Sequence, residues 1–321
     1  MAFEKNLVVI ALFIVLGTLA SQATSRTLSE ASIAAKHDQW MTKYGRVYAD
    51  NAEKERRFAI FKNNVQFVEK FNTEGNKTYK LGLNEHSDLS DEEFLRQRTG
   101  YKRATELTSS ANISFSYKDL NPTDVPPSID WREKGAVTPI KDQGSCVAAV
   151  EGIIQIKSGK LISLSEQQLL DCTSDYGNQG CNSGLMLPSS IHPTKWRNCQ
   201  RRKLPITGYE MVPANSEEDL LNAVSMQPVS IGIDASADEF KHYDFRHYQS
   251  GVFSPTYCGT SQNHAVTVVG YGTTEDGIKY WLLKNQWGES WGENGYMKVL
   301  RDAGAPGGVC GLAQYALYPT A

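Results

Sequence analysis

The last third of the chain is written in short runs that suit β-strands. Val229–Ile233, His264–Tyr271, Lys279–Asn285 and Gly295–Leu300 carry alternating or β-branched residues, with Gly270, Gly272 and Gly277 at the turns. Half-buried sheet is expected there. Earlier, Ala148 to Ile156 presents Val150, Ile153 and Ile154 on one helical face and meets a stop near Gly159. Further upstream, Glu53, Arg57, Phe61, Asn64, Val68 and Asn72 follow one another at steps of four, four, three, four and four, a single stripe along an α-helix. Helical patterns thus come early in the chain and strand patterns late.

At 321 residues and 35.6 kDa the chain has room for two or three domains. Its 33 basic and 36 acidic side chains leave a formal charge of −3, so no nucleic-acid partner is expected. Leu7 to Leu19 is almost wholly apolar, follows Lys5, and ends in small residues up to Ala20 and Ala23. That pattern reads as a signal peptide over residues 1–23, too short for a stable membrane span, and no later run replaces it. A soluble product of the secretory pathway is expected, with no membrane partner. The six cysteines, all after residue 145, are consistent with disulfides. They lack close metal-ligand spacing, and no metal or organic cofactor is expected. Asn76-Lys77-Thr78 and Asn112-Ile113-Ser114 fit the glycan acceptor pattern. Thr105 to Pro127 is polar and ends in Pro122, Pro126 and Pro127, which predicts an accessible, extended segment open to proteolysis. No internal repeat or low-complexity tract is evident.

Three motifs carry chemistry. Asp142-Gln143-Gly144-Ser145-Cys146 supplies a thiol. Asn263-His264-Ala265-Val266, followed by Gly270-Tyr271-Gly272, supplies an imidazole. Lys284-Asn285-Gln286-Trp287-Gly288, running on through Trp291-Gly292-Glu293-Asn294-Gly295-Tyr296, supplies an amide. In these motifs and their order the chain resembles the papain-like cysteine proteases. Asn285 lies 139 residues after Cys146, within the roughly 130–150 of that family, whereas His264 lies only 118 after it. The helical stripe matches the E-R-F-N-I-N signature of the family's inhibitory propeptide, with Val68 for isoleucine. Gly82 to Asp88 resembles its G-x-N-x-F-x-D motif, with His86 in place of phenylalanine, and Ser128-Ile129-Asp130-Trp131-Arg132 matches its mature start.

The resemblance covers nearly all of the chain after the signal and points to plant senescence- and storage-associated members. It implies an α+β fold class, with a helical inhibitory propeptide over 24–124 and a papain-like, two-lobe peptidase over 125–321. The helical lobe would span about 131–206, the β-rich lobe 207–321, and a cleft would lie between them. It also implies a zymogen, a vacuolar, lysosomal or extracellular destination, and a monomer. Its partners would be peptide or protein substrates, its own propeptide and cystatin-type inhibitors. The propeptide would template folding and block the cleft in reversed direction, with carboxylates such as Glu53 and Asp88 making that packing acid-sensitive.

The same resemblance assigns roles. Cys146 would be the nucleophile, held as thiolate by an imidazolium and a helix N-terminus because a thiol alone ionises only near pH ~8.5. His264 would protonate the departing amine, Asn285 would orient the ring, and Gln143 would donate to the oxyanion. Trp287 would shield the Asn–His bond, and Gly184 would pair with substrate backbone. Leu185, Met186 and Gly232 would line the specificity pocket. Taken singly, each has a plainer reading: Asn285 as a turn residue, Trp287 and Trp291 as core, Gln143 as a loop amide. His37, His86, His192, His242 and His247 are read as ordinary surface or core histidines.

The chain also departs from the family pattern. Val147 replaces an aromatic, no cysteine stands just before Cys146, Ser183 replaces a glycine and Gln286 a serine. Leu185 to Pro205, with Pro188, Pro193, Lys195, Arg197, Arg201, Arg202 and Lys203, is short and shows neither helix nor strand periodicity. An aromatic-rich stretch of about five residues is missing before Val147, and five helical residues amount to roughly 7.5 Å of rise and about 140° of rotation. By resemblance Cys172 would pair with Cys199 and Cys258 with Cys310. Cys146 is then either a free nucleophile with Cys181 unpaired, or bonded to Cys181. The chain is accordingly read as an endopeptidase or as a non-catalytic relative that binds inhibitors or peptides.

Overall fold

The structure, a computed structural model, describes residues 29–101, 114–121, 123–142, 147–165, 206–238 and 243–321. These form two compact units, residues up to Phe67 and Val68–Ala321. The first holds helix α1 (Glu30–Tyr44) and most of α2 (Asn51–Thr73). Ser29 caps α1 by accepting from Ser32 N, and Gly45 ends it in the left-handed region. Ile33, His37, Trp40 and Phe61 are buried, the His37 ring lying 4.9 Å from Phe61 and 5.3 Å from Phe58. The expected stripe on α2 is present, with Phe61, Asn64 and Val68 buried. Arg57 stands 3.9 Å from Glu53, a loose and partly exposed i,i+4 pair worth only about 0.3–0.5 kcal/mol.

The second unit is built on a sheet. Its strands are β1 (Tyr79–Leu81), β2 (Ile129–Asp130), β3 (Gly208–Met211), β4 (Val229–Ile233), β5 (Ala237–Asp238) and β6 (Tyr243–Asp244). β7 (Tyr248–Phe253), β8 (His264–Thr273), β9 (Lys279–Lys284), β10 (Tyr296–Leu300) and β11 (Ala316–Thr320) follow. The order across the main sheet is β1-β7-β10-β9-β8-β4-β11-β3, with β2 on β8, while β5 and β6 pair separately. All four strands expected from the sequence are present, three of them shifted by one or two residues at an end. Helices α3 (Asp91–Arg98), α4 (Ala148–Ser158) and α5 (Glu217–Met226) complete this unit among the described residues.

Helix α4 buries Val150, Ile153 and Ile154 as its periodicity predicts, and Gly159 terminates it in the left-handed conformation. Its fully buried Glu151 accepts from Thr138 Oγ1 (2.6 Å), Leu164 N (2.8 Å) and Lys141 Nζ (3.1 Å). A disulfide joins Cys258 to Cys310, the pairing that resemblance implied. The other four cysteines lie outside the described residues.

The segment from Tyr79 to Tyr101, upstream of the expected processing point, is woven into this sheet. β1 runs antiparallel to β7, and a Cβ on Gly251 would sit 2.4 Å from Thr78 O, so this close approach requires glycine. Gly82 N donates to His247 O (2.8 Å), and Asn84 Nδ2 donates to Arg246 O (2.7 Å). Ser90 and Glu93 form a reciprocal capping box that starts α3. The Arg246 guanidinium, buried among these residues, donates to Leu89 O (2.8 Å) and pairs with Asp91 (2.9 Å) and Asp244 (3.3 Å). Asp244 also binds His247 Nδ1 at 2.5 Å. Burial acts to raise the Asp244 carboxyl, but His247 and Arg246 together hold it well below the usual range.

A buried cation deprived of a partner is costly, so Asp91→Asn and Arg246→Gln should each destabilise the full-length chain in urea unfolding. Their double-mutant cycle should show a coupling of about 1–3 kcal/mol; additive effects would refute this account of the pair.

Candidate active site

Strand pairing creates the site. β8 begins at His264, β9 ends at Lys284, and the two run antiparallel, so Asn285 emerges beside the start of β8. Asn285 Oδ1 accepts from Gln286 N (2.9 Å) and lies 2.9 Å from His264 Nε2. A backbone N–H can only donate, so it fixes the amide with its oxygen toward the ring. Nε2 must then carry the ring proton, which leaves the Nδ1 lone pair as the proton acceptor. Gln286 Nε2 also donates to Ala265 O (2.7 Å), tying the amide segment to the residue after His264.

Trp287 stacks on His264, with centroids 4.6 Å apart and planes 28° apart. Phe94, Phe245 and Trp291 meet the Trp287 ring edge-on at 4.9, 5.6 and 5.2 Å. This aromatic cluster keeps water from the His264–Asn285 bond. His86 also belongs to it: its buried ring lies 5.4 Å from Phe94 and 6.3 Å from Trp287.

The upstream segment passes over the pair. Arg98 NH1 binds Asp142 Oδ1 (2.7 Å), and Trp287 Nε1 donates to Arg98 O (3.3 Å). The backbone N–H groups of Gly100 and Tyr101 both donate to Asn263 O, at 3.2 and 3.1 Å, one residue before His264. Asn263 is itself held by its side chain to Ala235 N (2.9 Å) and Ser236 Oγ (2.8 Å). Tyr101 packs against the cluster of Ala265, Tyr315 and Leu317. A Cβ on Gly232 would approach its ring to 2.9 Å.

His264, Asn285, Trp287 and Gly232 therefore come together. Cys146, Gln143, Gly184, Leu185 and Met186 lie outside the described residues. The chain entering the nucleophile segment is placed: Asp142 forms a β-bridge with Trp287, and Gly288 N donates to Lys141 O (3.3 Å). Arg98, Gly100, Tyr101 and the backbone oxygen of Asn263 were not anticipated as site groups. Asn263 stands within the histidine motif, whereas nothing in the local sequence marks 98–101.

Burial pushes the His264 ring down to about 4 from 6.5, although its bond to Asn285 acts in the opposite direction. The ring is thus neutral while covered.

A family model described as papain family cysteine protease matches residues 125–192 and 190–320, and one described as cathepsin propeptide inhibitor domain matches 37–94. The senescence-specific cysteine protease SAG39 of Oryza sativa subsp. japonica is 43% identical over 351 positions covering all of both chains. That alignment is 30 positions longer than the 321 residues here, so at least that many have no counterpart in this chain. Fruit bromelain of Ananas comosus is 40% identical, across 100% of this chain and 95% of the relative. Among solved structures, the proform of the ragweed pollen allergen Amb a 11 cysteine protease has a TM-score of 0.78 at 35% identity, covering 91% of this chain and 95% of that one. A recombinant stem bromelain precursor gives 0.76 at 40% identity, with 90% and 98% covered.

Two outcomes follow from this geometry. A histidine whose folded pKa is depressed adds no pH dependence above 6.5, where it is neutral folded and unfolded. Stability is lost as pH falls from 6.5 toward about 4, by about 1.4 kcal/mol per unit. Urea titrations of the full-length chain should therefore show a steeper loss over that range than those of His264→Gln; parallel curves would count against a neutral, covered ring. Gly232→Ala should cost about 1–3 kcal/mol by overpacking against Tyr101. The same Cβ also meets the Gln262 side chain at 3.0 Å. The substitution should cost less in a chain already carrying Tyr101→Ala than in the unaltered chain, and an equal cost in both would mean the Tyr101 contact is not limiting.

Proposed function

Because this chain belongs to the papain family of cysteine proteases and carries the family's inhibitory propeptide domain, we propose that it is the zymogen of a cysteine endopeptidase acting through Cys146, His264 and Asn285. The observation that carries this reading is the bond from His264 Nε2–H to Asn285 Oδ1, with the amide oriented by Gln286 N and shielded by Trp287. That arrangement presents Nδ1 to a thiol. Cys146 is the fourth residue after Asp142, a reach of roughly 14 Å. Asp142 is already bridged to Trp287, whose ring lies on His264. The nucleophile and Gln143 are thus within chain reach of the pair.

In this reading Cys146 gives its proton to His264, and the resulting thiolate attacks a peptide carbonyl. Gln143 and the Cys146 N–H hold the oxyanion while the imidazolium protonates the departing amine. Water then hydrolyses the thioester, with His264 as base. The segment at Gly100 and Tyr101 blocks substrate, since it occupies Asn263 O and the space beside Gly232. Cutting the chain near Val125 would separate propeptide 24–124 from peptidase 125–321 and allow this cover to leave. The substrates are peptides or proteins, and cystatin-type proteins would be natural inhibitors. With residues 1–23 as signal peptide, the product enters the secretory pathway toward a vacuole or the exterior.

A second reading is favoured by the positions without counterpart and by the break of the family match at 190–192. There the chain binds inhibitors or peptides but does not cleave, and Cys146 is bonded to Cys181. A thiolate-directed epoxide distinguishes the two. After acid processing it should label one site, Cys146→Ser should abolish labelling, and His264→Ala should slow it at least a hundredfold. No titratable thiol and no labelling would remove the enzyme reading.

A further inference from the structure

At the sheet edge opposite β1, Glu210 on β3 faces Tyr318 on β11 as a direct cross-strand pair. Both are buried, and the Tyr318 hydroxyl donates to Glu210 Oε2. Three more donors reach this carboxylate from upstream of the peptidase domain. Ser114 Oγ and Ser116 Oγ bind Oε1 at 2.9 and 2.7 Å, and Ser116 N binds Oε2 at 2.8 Å. The Tyr117 ring stacks on Tyr318 at 5.0 Å, and Gln227 Nε2 donates to its hydroxyl at 3.2 Å. Phe115 meets Tyr318 edge-on at 6.3 Å. The segment expected to be extended and accessible turns at Ser116–Asp119; Ser114, Ser116, Lys118 and Asp119 are exposed there, and Phe115 and Tyr117 are seated half-buried.

A carboxylate has about four acceptor positions and donates nothing, so a buried one selects a ligand rich in N–H and O–H groups. Burial acts to raise the Glu210 carboxyl, but the bonds from Tyr318, Ser116 and Ser114 outweigh it and hold it below its ordinary value. Removing the segment takes away three of the four donors and leaves a charge facing an aromatic wall. The remaining groups, Glu210, Tyr318 and Gln227, all belong to residues downstream of Trp131, and none is used by the chemistry at His264.

We propose that Glu210, Tyr318 and Gln227 form a peptide-binding site for a Ser-x-Ser-Tyr segment, whose occupant is this chain's own Ser114–Tyr117, and that the site takes this sequence in trans as well as tethered. The two serine hydroxyls satisfy Oε1, the backbone N–H of the second serine joins the Tyr318 hydroxyl on Oε2, and the segment's tyrosine ring covers Tyr318. Acidic peptides are excluded by charge. The inference requires neither chain cleavage nor a reactive Cys146, so failure of epoxide labelling leaves it standing.

The test uses the full-length chain carrying S114A, S116A and Y117A, which removes both hydroxyl donors and the stacked ring in cis, and a fluorescent peptide spanning residues 112–121. Anisotropy should show binding at least tenfold tighter than to the unaltered chain, whose tethered segment competes. Binding should also be at least tenfold tighter than to the triple variant with E210Q added. A peptide with alanine at both serines should lose a similar factor on the chain that retains Glu210, a control that does not depend on how E210Q folds. Equal affinity across these chains and peptides, or no binding at millimolar peptide, would overturn the assignment.

Discussion

The antiparallel register of β8 with β9 is the constraint on which the site depends. It places an imidazole at the first residue of one strand and a carboxamide one residue beyond the end of its neighbour, so a hydrogen bond of 2.9 Å forms without any loop having to find its place. Sheet geometry also explains why the amide does not swing. Gln286 contributes its backbone N–H to the oxygen and its side chain to Ala265 O, so both halves of the pair are held by the same two strands. Precision on rigid elements of this kind is what positional catalysis needs.

Cover and chemistry are opposed at this centre. Burial favours the uncharged form of the His264 ring, which stacks on Trp287, whereas a thiolate–imidazolium pair needs a protonated ring. On the proposed reading the upstream segment would do more than obstruct access, because burial of the His264 ring works against its charged form. His86, buried against Phe94 and Trp287 on the far side of the same aromatic cluster, adds a second imidazole to this setting in place of a hydrocarbon ring.

Much of this was legible because local patterns coincided with global ones. The strands from 229 onward and helix α4 follow their own periodicity, and His264 and Asn285 stand in motifs that strands position directly. The docking of 79–101 was not legible, since β1 has only three residues and its partner lies about 170 positions away. Long-range pairing leaves little local trace. Arg246 carried a signal that escapes any search for domain-sized repeats. Asp238-Glu239-Phe240-Lys241-His242-Tyr243 is nearly repeated by Asp244-Phe245-Arg246-His247-Tyr248, and the second copy supplies the buried ion cluster. Polarity alone does not reveal that 114–117, accessible as expected, also brings two serines to a buried carboxylate.

The upstream segment grips the sheet at β7 and again at the β3–β11 edge, two footholds with β8 and its His264 between them in the strand order. Such an arrangement is bivalent. While the chain is intact, letting go at one edge leaves the other to hold the loosened part at high effective concentration, so recapture outpaces escape. A single nick between the footholds abolishes that advantage at once, turning one slow ligand into two fast ones without altering any contact. The position of a cut, more than its occurrence, would then govern how long inhibition outlasts it.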